Sequence, residues 1–195
     1  MNTHSISMSS NETYDVPMFQ YTVPIFIKSL GGLQTVLTKA QAHCTSSGLH
    51  ESDLLADRLA PDMFPLVKQV QSACDNAKNA VGRLTGITPP VFEDTEQSLG
   101  ELIARVEATI AYLQTVPESA YAGAEERQVT LPYFPGKYMT GFEYAREYAL
   151  PNFFFHLVTA YGIIRKNGVA IGKADYTNGL TLRDEESEML KNRRT

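Results

Sequence analysis

This sequence predicts an all-α fold: a four-helix bundle with a small β-hairpin before its last helix. Three observations carry that expectation. Four long segments repeat apolar residues in steps of three and four. Prolines, glycines and short polar clusters punctuate the chain between them. One stretch, QVTLPYFPGKYMT, instead alternates around a Pro-Gly pair, as a hairpin does. At 195 residues the chain is long enough for one domain with a single large core, read here as 18–177 between a disordered leader, 1–17, and a polar C-terminal tail, 178–195.

The first helix is expected from about Val23 to Ala42, with Ile27, Leu30, Leu33, Val36, Leu37 and Ala40 on one face and Pro24 in its first turn. Its Gly31–Gly32 pair costs about 1 kcal/mol of helix propensity per glycine, which points to close approach by another backbone. ESDLLADRLA reads as a short connecting helix stopped before Pro61. The second long helix starts near Phe64 and runs to about Leu84, where TGITPP closes it. The third starts in FEDTEQ, where Asp94 or Thr95 can cap it, and continues through Leu99, Leu102, Val106 and Leu113 to Pro117. After the hairpin between Arg127 and Thr140, the fourth runs from about Gly141 to Lys166 and ends at Asn167–Gly168.

Composition narrows the function classes. A hydrophobic content of 43% with 20% charged residues is that of a globular protein, and a net charge of −5 without a basic tract argues against nucleic-acid binding. No window approaches the roughly 20 uninterrupted apolar residues of a membrane span, and the polar N-terminus has no secretory pattern, so the expected location is cytoplasmic. Cys44 and Cys74 have no metal-type spacing and are expected as reduced thiols.

The fourth helix carries the candidate site. At about 100° per residue, Glu147 and Arg165 lie opposite His156, so His156 faces the core when those charges face water. Asn152 sits about 40° from it. Pro151 removes a backbone hydrogen bond beside this pair, so a kink or local break is expected there. Two readings stay open: Asn152 and His156 satisfy loosened backbone and a neighbouring carbonyl, or they are working groups of a small-molecule pocket under Phe26, Phe64 and Phe153. In the second, His156 is an acid or base and Asn152 an orienting amide, with Asp62 a third catalytic candidate. Asp62 is also placed to cap the second helix.

The segments RLAPDMFPLVKQVQ (58–71), PPVFEDTEQSLGELIARVEATIAYL (89–113) and LPNFFFHLVTAYGIIRKNGVAIGKADY (150–176) resemble, in order and spacing, a family of uncharacterised function in the DinB/YfiT-like superfamily. The resemblance covers about residues 18–177. It implies a four-helix bundle, often homodimeric, among relatives that bind a divalent metal and of which some are thiol-dependent transferases or isomerases. The superfamily's metal site takes one histidine from the second helix and an H-x-x-x-H pair from the last. Here the pair reads Asn152-x-x-x-His156, and the second helix offers Gln69 and Gln71, so His156 alone is a strong metal ligand on the matched positions. His43 next to Cys44 is expected in a helix-end role, and His4 and His50 on the surface. The expected site is thus catalytic His156, Asn152 and Asp62, with Gln69, Gln71, Tyr148 and Phe153 contacting a small organic ligand. The alternative is a noncatalytic helical interaction module with a structural core histidine.

Overall fold

The structure, a computed structural model, describes residues 17–184. The leader expected over 1–17 lies outside the described residues except for Pro17, as does the tail beyond 184. Helix α1 spans Val23–Ser47, α2 Glu51–Ala56, α3 Leu66–Thr85 and α4 Leu99–Gln114. Strands β1 (Gln128–Val129) and β2 (Met139–Thr140) pair antiparallel, Gln128 opposite Thr140. A continuous rod comes next: α5 (Gly141–Glu143), a π turn (Tyr144–Ala149) and α6 (Leu150–Lys166). A last short helix, α7, covers Lys173–Thr177.

Packing traces a ring: α1 on α4, α4 on α3, α3 on the rod, and the rod back on α1. Side-chain pairs give the directions. Gln34 bonds Glu107, and Gly100 lies against Gln41, so α1 and α4 are antiparallel. Gln69 meets His156 and Arg83 meets Tyr144, so α3 and the rod are antiparallel as well. Between α3 and α4 the chain runs back along α3: Pro89 lies near Gly82, Phe92 under Lys78, and Asp94 at Lys68 in the first turn of α3. Helices α3 and α4 are therefore parallel, and the bundle is up-down-down-up with residues 86–98 as a strap.

That strap explains why α4 starts at Leu99 and not at Asp94 or Thr95. The acidic residues expected to cap the helix are used in ion pairs: Asp94 and Glu96 both bind Arg105, at 2.9 and 2.8 Å, and Asp94 also takes Lys68. Ser98 caps instead, in a capping box with Glu101, and the Glu51 carboxylate accepts from the Leu99 amide. Arg105 is buried beside Asp75 at 3.0 Å, with its guanidinium against the Phe92 ring. Burial opposes ionisation of Glu96, but hydrogen bonds from Arg105 and Gln71 outweigh it and hold its carboxyl below the usual range.

Helix α1 outruns its expected end by five residues and stops at Gly48, whose left-handed φ of 78° suits a glycine. The Gly31–Gly32 pair does receive a backbone: α7 lies on it, and a Cβ on Gly32 would collide with the Tyr176 carbonyl oxygen. Lys39 and Asp175 pair across the same contact at 2.7 Å. Pro65 keeps Phe64 out of the helical region, so α3 begins only at Leu66, and Asp62 lies too far upstream to cap it. The hairpin turns at Pro135–Gly136, with Lys137 N–H bonded to Phe134 O and Gly136 at φ 73°, as a type II turn requires. No helix among the described residues is long and apolar enough to cross a membrane.

Gly32→Ala should lose about 1–3 kcal/mol of unfolding free energy in urea, because α7 must move off α1 to admit the methyl group. Lys39→Ala, which removes only an exposed ion pair of the same contact, should lose less than about 1 kcal/mol.

Candidate functional site

Helix α3 has two unlike faces. Val70, Ala73, Cys74, Ala77, Val81 and Leu84 are buried. On another face stand Lys68, Ser72, Asn76, Asn79 and Arg83, in steps of four, four, three and four, which stack on one side of a helix. The rod faces this stripe with Tyr148, Asn152 and His156, again one turn apart. Between the two stripes lies an open hollow of about 420 Å³, with Phe64 and Asp75 also on its wall and Leu131, Pro132 and Tyr133 of the hairpin loop at its rim.

His156 is buried and its bonding fixes its chemistry. Nδ1 lies 2.7 Å from Gln69 Oε1, while Gln69 Nε2 donates to the Phe64 carbonyl at 3.1 Å. A carbonyl only accepts, so the amide nitrogen of Gln69 faces Phe64 and its oxygen faces the imidazole. Nδ1 must then carry the hydrogen, which leaves Nε2 of the neutral ring with a free lone pair. Burial pushes the His156 pKa below its ordinary value, and the Lys68 charge adds to that, so the ring is neutral at pH 7. The Phe64 ring stacks beside it at 6.4 Å between centroids, 13° from parallel.

Asn152 donates to Asn76 Oδ1 at 2.6 Å, and Asn76 donates to the Ser72 carbonyl at 2.8 Å. The irregularity expected at Pro151 falls one turn earlier. The π turn at Tyr144–Ala149 widens the helix ahead of the proline, with Leu150 N–H reaching Ala145 O, and gives the pyrrolidine ring room against the preceding carbonyls. The rod remains unbroken, so Asn152 is free to act across the hollow and does not serve the proline's backbone.

The other residues singled out from the sequence scatter. Tyr148 lines the hollow, whereas Gln69 stands behind His156 with both amide atoms engaged. Gln71 points elsewhere, to Glu96 in the strap at 2.8 Å. Phe153 is fully buried against Phe26 and lies in the core, not on the wall of the hollow. Asp62 is exposed and is not among the residues around the hollow. His43 sits against the Gly168 turn and His50 is exposed at the start of α2. Cys44 and Cys74 are buried free thiols, and burial pushes Cys74 up to about 12. Sequence reasoning misses Lys68, Ser72, Asn76, Asn79 and Arg83, although their helical spacing is a readable signal.

The residues around the hollow do not fit the divalent metal that the superfamily implies. One imidazole nitrogen is available there. Asn152, whose Nδ2 donates to Asn76, offers only an amide oxygen, and Asp75 already accepts from Lys78 and Arg105 through Oδ1. Among the described residues no group of three His, Cys, Asp or Glu side chains is placed to hold a metal. A lone imidazole with amide oxygens is a weak donor set for zinc or nickel.

The family model of a domain of unknown function, DUF1993, matches residues 18–177. The crystal structure of a DinB family member protein from Shewanella denitrificans is 42% identical to the chain and superposes with a TM-score of 0.83. The match covers 86% of this chain and 96% of that one. No curated protein matches the chain.

Long-range nitrogen–proton NMR should find His156 in the Nδ1–H tautomer, titrating below 6.5. Gln69→Leu should release the ring into a mixture of tautomers. Since folding lowers this pKa, the neutral ring stabilises the protein above the unfolded value near 6.5, and that contribution is lost as pH falls through the folded value. In His156→Phe, that part of the fall in melting temperature on acidification should disappear.

Proposed function

The chain belongs to the DUF1993 family of DinB-like helical bundles, and from this premise we propose that it binds a small organic molecule in the groove between α3 and the rod and moves a proton on it. One observation carries the reading: a neutral imidazole with Nδ1 anchored and Nε2 unengaged among the described residues, on the wall of a hollow lined with amide and hydroxyl groups. That arrangement suits a general base, because the Gln69 carbonyl that fixes the tautomer also stabilises the imidazolium formed when Nε2 takes a proton. Asn152 keeps its Oδ1 for the ligand while its amide hydrogen holds Asn76. A proton taken from one ligand atom and returned to another regenerates the base, so an isomerisation needs no further co-reactant. Thiol-dependent transfer is the alternative chemistry; it requires a thiol from outside, since both cysteines of the chain are buried.

A ligand screen by thermal shift tests this. Compounds that raise the melting temperature of the native protein should lose that effect in Asn152→Ala, and any turnover should fall by about 100-fold or more in His156→Gln, the loss expected for a general base. If turnover persists in His156→Gln, the assignment of the base is wrong. If no compound stabilises the native protein, the groove is not a ligand site.

Self-association is a second reading, favoured by the outer face of α6. Phe155 and Val158 are 56% and 52% exposed, and Leu59, 46% exposed, lies over Gly162 on the same face. This apolar strip points away from the bundle and fits a second copy of the chain. Light scattering should give twice the chain mass for the native protein and the single mass for Val158→Asp; a native monomer would rule the dimer out.

A further inference from the structure

We propose that the ligand of this groove is a small organic anion, whose carboxylate or phosphoryl oxygens are taken by Arg83 while its reacting end meets His156. The inference rests on the groove being a ligand site and draws on a different observation, the balance of charge along it. Three ionised side chains line the hollow. Lys68 is neutralised by Asp94, and Asp75 by Arg105 and Lys78. Arg83 forms no ion pair among the described residues. Its one side-chain hydrogen bond among the described residues is to the Tyr144 hydroxyl, long at 3.3 Å, with the guanidinium beside that ring.

A half-buried guanidinium without a carboxylate is costly unless something supplies the charge, and its fork of N–H groups suits an oxyanion. Asn79 on α3 and Tyr148 on the facing rod line the same hollow and form no side-chain hydrogen bonds among the described residues, so both are available as flanking donors. A second hollow of about 550 Å³ meets the first at Arg83 under the hairpin loop; it adds Lys137 and no acidic residue. The Arg83 end of the groove is therefore a positive island on a chain of net charge −5. From Tyr148 beside it to His156 the rod rises about 12 Å, so the ligand is elongated, with the anion at one end and the proton-donating atom at the other.

The test uses the full chain and a series of short aliphatic and aryl carboxylates and phosphate monoesters, each beside its neutral amide or alcohol, with inorganic phosphate as control. Binding is read by thermal shift and calorimetry in the native protein, Arg83→Gln, Arg83→Lys and His156→Gln. Anionic members should bind and their neutral counterparts should not. Arg83→Gln should weaken them by about 10-fold or more, Arg83→Lys by less, as expected when a paired, charge-assisted contact is lost or only partly replaced. The carboxylate and phosphate arms then tell which oxyanion the site prefers. Neutral members binding as well as anions, or Arg83→Gln binding anions as the native protein does, would overturn the proposal. If neutral compounds bind and lose affinity in Asn152→Ala, the groove remains a ligand site and only its anion preference fails; if nothing in the series binds, both readings fall.

Discussion

The fold depends on Arg105. Parallel neighbours in a helix bundle cannot be joined by a tight turn, so the chain between α3 and α4 has to run the length of the bundle with its backbone polar groups outside any helix. Arg105 is the pin that holds it there. From α4 it reaches Asp75 on α3 and Asp94 and Glu96 in the strap, and its guanidinium lies against Phe92. Three partly exposed carboxylates more than offset one buried guanidinium, and the excess is met by Lys68, Lys78 and Gln71. Breaking a buried ion network strands an uncompensated charge, so any arrangement in which Arg105 lacks these partners is disfavoured. Here the arrangement it selects is the direction of α4.

With α3 and α4 parallel, α3 lies antiparallel to the rod, and the groove is a consequence of that geometry. Antiparallel helices bring successive turns into register along their whole length, so the polar stripe from Lys68 to Arg83 meets the stripe from His156 back to Tyr148 turn for turn. Close packing would require apolar residues on both stripes. Polar ones leave a hollow, bridged where Asn76 meets Asn152, Gln69 meets His156 and Arg83 meets Tyr144. The chemistry at one end and the uncompensated charge at the other are thus two points on a single seam between helices.

The four helices and the hairpin were legible in the sequence, because apolar periodicity and Pro-Gly punctuation report local structure directly. The start of α4 was not: Asp94 reads as a cap, and only the tertiary position of Arg105 shows that it has another use. Helix α7 left no periodic signal in five residues, though its footprint was visible in the Gly31–Gly32 pair. At the site, projecting the last helix turned His156 and Asn152 toward the core; the structure buries His156 and leaves Asn152 half-buried on an open groove. Gln69 and Gln71 could not be told apart by type, and being about 200° apart on a helix they could not both reach the histidine. Lys68, Ser72, Asn76, Asn79 and Arg83 look, in sequence, like the solvated face of any surface helix; only the rod lying opposite turns that face into a wall.

The π turn at Tyr144–Ala149 has a bearing on how genes of this kind can change. A turn of this sort accommodates one residue more than a regular helix needs, so the side chains ahead of it are rotated by about 100° relative to those after it. Removing a single codon there would straighten the rod and swing Tyr144, with the hairpin that Thr140 anchors, away from Arg83 and off the mouth of the groove. Added or lost codons are more readily absorbed at the hairpin tip, whose residues are exposed. Within the rod, drift is confined to substitution, because its length in residues is itself the specification of which side chains face the groove.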